Sequence, residues 1–338
     1  MAPTPPAGTT PTRVVVIGLG GTIAMTPAAT GGVTPSLSRQ QLVDAVPGLT
    51  GTGVVLEVVA FRSRPGAALT FDDILELAPV VRAHLTGGAA GVVITQGTDT
   101  IEETAYVLDL LHHLPQPVVV TGAMRNPAMA GADGPANLLA AVQAAASPHT
   151  RGLGCVVVLC DEIHAAARVS KTHSTSPSAF KSRNGGPLGY LVEGVPTVLH
   201  RPASRHTMPP PSDGRRPRVG LYTAALGDDG SLIADFAGSL DGLVVAGFGV
   251  GHVPDTWVRI LSDLAARIPV VLATRIGAGS VLTSTYGFPG SERDLIARGL
   301  IPAGLLDPYK SRILLHLALA AGADRAAIAE AFDAATSR

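Results

Sequence analysis

Two short loops bring threonines to places where chemistry can happen. Gly20-Gly21-Thr22-Ile23-Ala24 follows one apolar run, and Gly97-Thr98-Asp99-Thr100 follows another. In open parallel α/β sheets, ligands bind in the crevice beyond the carboxyl ends of the strands, so two such loops can face one another across a single pocket. Two threonine hydroxyls and a carboxylate in one pocket suggest chemistry on an amide.

The elements that must position these loops are read from apolar runs. Val14-Val15-Val16-Ile17 and Gly91-Val92-Val93-Ile94 are short and β-branched, as in parallel strands buried on both faces. After the second loop Ile101, Ala105, Leu108 and Leu111 recur at helical spacing, with Glu102 and Glu103 in the first turn, where carboxylates suit the helix dipole. Asp99 therefore stands just before a helix, where the plainer role is an N-cap worth about 1 kcal/mol. Gly18-Leu19-Gly20-Gly21 could cradle a dinucleotide phosphate. However, Ile23 occupies the third glycine position of that fingerprint, and the first acidic residue beyond is Asp44, so the match is poor.

From about Arg13 to the C-terminus the chain resembles the bacterial L-asparaginase family. The two threonine loops, Glu102-Glu103-Thr104-Ala105-Tyr106, Thr121-Gly122-Ala123-Met124-Arg125, Ala132-Asp133-Gly134-Pro135-Ala136-Asn137-Leu138 and Lys171-Thr172 stand in the family's order and approximate spacing. The resemblance implies an amidohydrolase that turns L-asparagine into L-aspartate and ammonia with no metal or organic cofactor. It implies an α/β fold, with a large N-terminal domain built on a mostly parallel sheet and a smaller C-terminal α/β sandwich, assembled as a homotetramer.

Carried over by resemblance, Thr22 is the primary nucleophile, and Thr98, Asp99 and Lys171 form a second catalytic group. A threonine hydroxyl needs a neighbour to take its proton, and a lysine can do so only if its pKa falls well below the ordinary value of about 10.4. Burial or another cation would lower it, whereas Asp99 alone would raise it; a charged Lys171 would act by electrostatics or orientation. Asp99 matches the family residue that holds the substrate's α-ammonium, and Ser63, in Phe61-Arg62-Ser63-Arg64, aligns with the serine that binds the α-carboxylate. Arg62 and Arg64 are expected to add positive potential there. Ala123 matches a position whose main chain accepts from the leaving amide. Backbone N–H groups at Thr22 and Thr98, each preceded by glycine, are candidates for an oxyanion hole.

Some segments depart from the family pattern. Its mobile loop after the nucleophile carries a tyrosine, but Met25 to Ser38 contains none and reads Thr30-Gly31-Gly32-Val33-Thr34-Pro35. Glycines between Pro27 and Pro35 still suit a lid. The family's asparagine-rich loop is replaced by Gly247-Phe248-Gly249-Val250-Gly251-His252, and the acidic residue that reaches a neighbouring subunit's pocket has no clear counterpart. In that stretch, Thr283-Ser284-Thr285-Tyr286-Gly287, Tyr286 is the candidate for a hydroxyl supplied across an interface.

Composition fits a cytoplasmic enzyme with a small-molecule substrate. With 338 residues there is room for two domains, and 46% hydrophobic content gives an ample core. The net charge of −1 argues against electrostatic binding to nucleic acid. A mean hydropathy of +0.33 raises the membrane question, but Gly, Pro, Thr or Ser breaks every long uncharged stretch. Met1 to Thr12, rich in Pro, Thr and Ala, reads as a disordered tail rather than a signal peptide. Cys155 and Cys160 are read on one strand, pointing to opposite faces as buried free thiols. His112-His113 is read on a helix, and His164 and His173 lack partners at zinc spacing. Prolines at 202, 209, 210, 211 and 217 mark residues 201–217 as a linker between domains at 13–200 and 218–338.

Other readings are a mixed glutaminase-asparaginase, an ammonia-supplying subunit of a tRNA amidotransferase, and a non-catalytic amino-acid sensor. The second normally carries an added N-terminal domain, and a sensor would lose Thr22 or Lys171, both of which are present.

Overall fold

The computed structural model describes residues 12–20, 46, 48–211 and 214–336, and the backbone alone of 25–28 and 32–35. Thr22 and residues 1–11, all of the expected tail but Thr12, lie outside the described residues, and Thr12 O accepts from Val55 N at 2.9 Å. The chain falls into two compact units divided between Pro202 and Ala203.

Valine-rich runs build the first unit. Its strands are β1 (Arg13–Gly18), β2 (Met25–Ala28), β3 (Gly32–Pro35), β4 (Val55–Ala60), β5 (Gly91–Thr95), β6 (Val118–Thr121), β7 (Cys155–Leu159), β8 (Glu162–Ala165), β9 (Val169–Lys171), β10 (Phe180–Ser182), β11 (Gly189–Val192) and β12 (Val195–Val198). Its helices are α1 (Phe71–Thr86), α2 (Ile101–Leu111) and α3 (Gly134–Ala146). Eight strands form one sheet in the order β12-β11-β8-β7-β6-β5-β1-β4. The five from β7 to β4 run parallel, and β8, β11 and β12 continue the sheet antiparallel. β5, β6 and β7 are buried along their whole length, which explains why their runs are continuously apolar rather than alternating.

This topology locates a crevice. The chain lays down β1, crosses to β4 on one side, then returns past β1 to β5 and continues outward to β6 and β7. The direction reverses between β1 and β5, and ligands in doubly wound sheets sit at the carboxyl ends of the strands flanking such a reversal. The loops starting at Leu19 and Gln96 leave those two ends. β2 and β3 pair as an antiparallel hairpin within the segment read as a lid, Met25 opposite Pro35 and Ala28 opposite Gly32; their side chains and residues 29–31 are outside the described set.

In the second unit β13 (Val219–Thr223), β14 (Gly242–Gly247), β15 (Val270–Thr274) and β16 (Ile301–Pro302) form a parallel sheet in sequence order. Its helices are α4 (Ser231–Phe236), α5 (Trp257–Ala265), α6 (Glu292–Ala297), α7 (Pro308–Ala320) and α8 (Arg325–Thr336). Leu243, Val245 and Leu272 pack with Ile233, Trp257, Leu261 and Leu295 on one face. Leu315 and Leu319 of α7 cover Gly242 on the other, which completes the sandwich.

Two expectations are corrected. Cys160 is not on the strand and not buried: β7 ends at Leu159, and Cys160 and Asp161 take left-handed φ of 50° and 59° to form the two-residue turn into β8. Cys155 is the buried free thiol. His112 and His113 are not on the helix, because α2 ends at Leu111 and the chain turns extended ahead of Pro115 and Pro117. Among the described residues no helix is long and apolar enough to cross a membrane.

Candidate active site

At the reversal point the loop ends are tied to each other. Leu19 N donates to Thr95 O at 2.9 Å, and Gln96 N donates to Thr121 O at 3.2 Å, so the exits of β1, β5 and β6 are in register. Thr98–Thr100 forms one 3-10 turn that runs directly into α2. Asp99 does not cap the helix: Thr100 holds the cap position, without a side-chain cap bond.

Asp99 instead meets a lysine from far along the chain. Lys171, the last residue of β9, donates from Nζ to Thr98 Oγ1 at 2.9 Å and to Asp99 Oδ1 at 3.3 Å. The lysine side chain is 18% exposed and the aspartate 60% exposed, so the pair sits with one side anchored in the protein and the other open. Lys171 is placed from behind as well, because its backbone N–H donates to Glu102 Oε1 at 3.1 Å. Glu102 is buried in the first turn of α2, and the dipole argument made from sequence missed this contact.

Ala123 follows the end of β6 and is buried. A methyl at Gly122 would stand 2.8 Å from Gln96 O and 3.2 Å from Thr98 Cγ2, so only glycine lets this segment lie against the threonine loop. The Asp133-to-Asn137 motif holds it there. Asp133 accepts from the N–H groups of Met124 (3.0 Å) and Arg125 (2.8 Å), while Asn137 donates to Gly122 O (3.0 Å) and accepts from Cys160 N (3.0 Å).

Ser63 is exposed in the loop leaving β4. Phe61 N and Arg62 N donate to Gly18 O at 3.0 and 3.1 Å, and Arg64 N donates to Leu19 O at 3.0 Å. Gly20, with φ of 112°, lies so close that a side chain's first carbon would be 2.4 Å from Arg64 O. The arginines do not present the unpaired positive charge expected of them: Arg62 pairs with Asp73 and Glu76, and Arg64 pairs with Asp73. Burial pushes the Asp73 carboxyl up, but Arg62, Thr70 and Arg64 together outweigh it and hold it below the usual carboxylate range.

Thus Thr98, Asp99 and Lys171 touch, Ala123 and Ser63 stand on segments tied to the same strand ends, and Thr22 lies outside the described residues, two positions past Gly20. In the second unit Tyr286 is half-exposed with its ring edge-on to His252 at 4.9 Å. Buried Glu292 accepts from the N–H groups of Thr285 and Tyr286 at 3.0 and 2.8 Å and fixes that loop.

Comparison with known proteins decides the family. Residues 13–204, more than half the chain, match the model described as "Asparaginase, N-terminal", and residues 218–332 match "Glutaminase/Asparaginase C-terminal domain". The chain belongs to the asparaginase family. Among asparaginase relatives, a "Probable L-asparaginase" of Deinococcus radiodurans is 39% identical over 325 residues, 95% of this chain and 97% of that protein. A "Glutaminase-asparaginase" of Pseudomonas aeruginosa is 32% identical over 91% of this chain and 86% of its own length. A crystal structure described as "Probable Cytoplasmic L-asparaginase" from Campylobacter jejuni superposes with a TM-score of 0.83 at 32% identity, covering 95% of this chain and 99% of the other.

Proposed function

We propose that this asparaginase-family chain hydrolyses L-asparagine to L-aspartate and ammonia, with Thr22 as nucleophile and no metal or organic cofactor. The observation that carries the reading is Lys171 Nζ bridging the Thr98 hydroxyl and the Asp99 carboxylate beside the reversal point of the sheet. Asp99 has a second oxygen and enough exposure to take the substrate's α-ammonium. Ser63 takes the α-carboxylate, and Ala123 O accepts from the leaving amide. With the substrate so oriented, Thr22 Oγ attacks the side-chain carbonyl. Thr98, held by Lys171, moves the proton, and the N–H groups of Thr22 and Thr98 face the oxyanion. An acyl-threonine forms as ammonia leaves, and water releases aspartate.

Mixed glutaminase-asparaginase activity is the second reading, favoured by relatives so described. Glutamine is one methylene longer, a difference worth only about 1 to 3 kcal/mol in discrimination. An amino-acid sensor would keep Asp99 and Ser63 without any use for the Thr98–Lys171 contact. Ammonia release from asparagine and glutamine by the purified protein and by Thr22→Ala tests all three. Turnover abolished in the variant supports the assignment; asparagine binding without turnover in the wild type overturns it in favour of the sensor.

The reading extends to a cytoplasmic homotetramer of paired dimers, with domains at 13–200 and 218–338 joined by residues 201–217, and to Tyr286 reaching a neighbouring subunit's pocket. It is supported by the description of the Campylobacter jejuni protein as cytoplasmic and by the exposure of Tyr286. Light scattering with activity at the same concentration tests it, since full activity in a monomer overturns shared sites.

A further inference from the structure

Resting on the assignment of Ser63 to the substrate's α-carboxylate, we propose that Asp73 is a positioning residue for substrate binding. It draws both arginines flanking Ser63 away from the pocket and uses them to hold the serine in place.

Asp73 is the third residue of α1, and its side chain is only 5% exposed. Its Oδ1 accepts from Arg62 Nε at 3.0 Å. Its Oδ2 accepts from Arg64 Nη1 at 3.1 Å, from Thr70 N at 3.0 Å and from Thr70 Oγ1 at 2.8 Å. One carboxylate thus closes the helix's capping box and grips the residues on either side of Ser63. Arg62 is fixed further by Glu76, one turn along α1, and by lying over the Phe61 ring at 4.5 Å from its centroid. Charge-assisted bonds of this kind are stronger than neutral ones and directional.

The other side of the loop is fixed by backbone. Residues 61, 62 and 64 donate to Gly18 O and Leu19 O, and Gly66 O accepts from Thr100 Oγ1 at 2.9 Å. Ser63 is therefore an exposed residue between fixed points, with the exits of β1 and β5 on one side and α1 on the other. Two consequences follow. With Arg62 and Arg64 already matched to Asp73 and Glu76, the serine presents its hydroxyl and main chain to a carboxylate without a free guanidinium beside it. Ser63 also contacts a part of the substrate that does not react, so misplacing it weakens ground state and transition state alike, which raises KM and spares kcat.

The test uses the full chain and compares Asp73→Asn, Thr70→Ala and Ser63→Ala, with KM, kcat and thermal midpoint measured for each. Thr70→Ala loosens the same helix cap but leaves both arginine pairs in place, so it controls for general loss of stability. Asp73→Asn is expected to raise KM for asparagine about tenfold with kcat within about twofold, whereas Thr70→Ala leaves KM near the wild-type value. An unchanged or lowered KM in Asp73→Asn, a parallel fall in kcat, or an equal rise in Thr70→Ala overturns the proposal. Ser63→Ala with an unaltered KM overturns the carboxylate assignment itself, and the proposal with it; a raised KM there beside an unaffected Asp73→Asn rejects Asp73 alone.

Discussion

Lys171 joins three groups that the sequence places far away: Thr98 and Asp99 through its Nζ and Glu102 through its backbone N–H. Removing the amine while keeping the stem, as in Lys171→Met, should lower kcat about 100-fold or more, the scale of losing a positioned proton-transfer partner. KM should change far less, because the contacts proposed for the zwitterion, at Asp99 and Ser63, do not include the amine. Steady-state kinetics checks this, and a variant of wild-type kcat would remove Lys171 from the chemistry. Residue types and their order made these side chains legible before any coordinates. Glu102 was legible only as a helix-start carboxylate, since nothing in a local window shows that the main chain of residue 171 arrives beside it. The arginines beside Ser63 misled for the same reason: their partners Asp73 and Glu76 lie 9 to 14 residues further along the chain, in the first turns of α1.

At the level of elements, the Asp133–Asn137 segment explains what a matched motif is for. The start of α3 holds the segment after β6 by three polar contacts and the turn after β7 by a fourth, with Asn137 itself buried. Asn137→Ala strips partners from Gly122 O and Cys160 N, and should cost about 1 to 3 kcal/mol, the penalty for leaving buried polar groups unsatisfied. Urea unfolding checks the loss; a shift below a few tenths of a kcal/mol would mean water replaces the side chain. The strands themselves were readable where buried parallel strands make unbroken apolar runs, as in β14 and β15, whereas β13 is buried only at Val219 and carries Gly220 and Tyr222 within it. The end of β7 was not readable, because Cys160 adopts a left-handed backbone that cysteine rarely takes and Asp161 beside it is only a weak turn signal, whereas a glycine there would have marked the turn.

For the whole molecule, acid should weaken the first unit more than the second as pH falls below about 6.5. In the first unit His164 is fully buried, 3.0 Å from Ser182 Oγ and 3.1 Å from Glu162 Oε2, while Lys181 pairs with the same glutamate. Burial is the main cause that lowers its pKa from 6.5 to about 4, and the Glu162 carboxylate opposes it. The unfolded chain therefore binds a proton that the folded chain refuses. Stability is fully present above about 6.5 and declines as pH falls towards 4, by about 3 kcal/mol at most. In the second unit Glu292 behaves differently. Burial pushes it up, but the N–H groups of Tyr286 and Thr285 and the His252 ring hold it below its ordinary 4.5, so its contribution is lost only under more acid conditions. Trp257, the chain's one tryptophan, is buried in the second unit and reports that unit alone. Between pH 6.5 and 4.5 the urea midpoint followed by circular dichroism, which sees both units, should fall and broaden, while the Trp257 fluorescence midpoint should fall by a smaller amount, because burial also lowers the pKa of His206 in the second unit. His164→Phe should flatten the dichroism slope across the same range. If that variant keeps the wild-type slope, the acid sensitivity of the first unit originates elsewhere than in this buried imidazole.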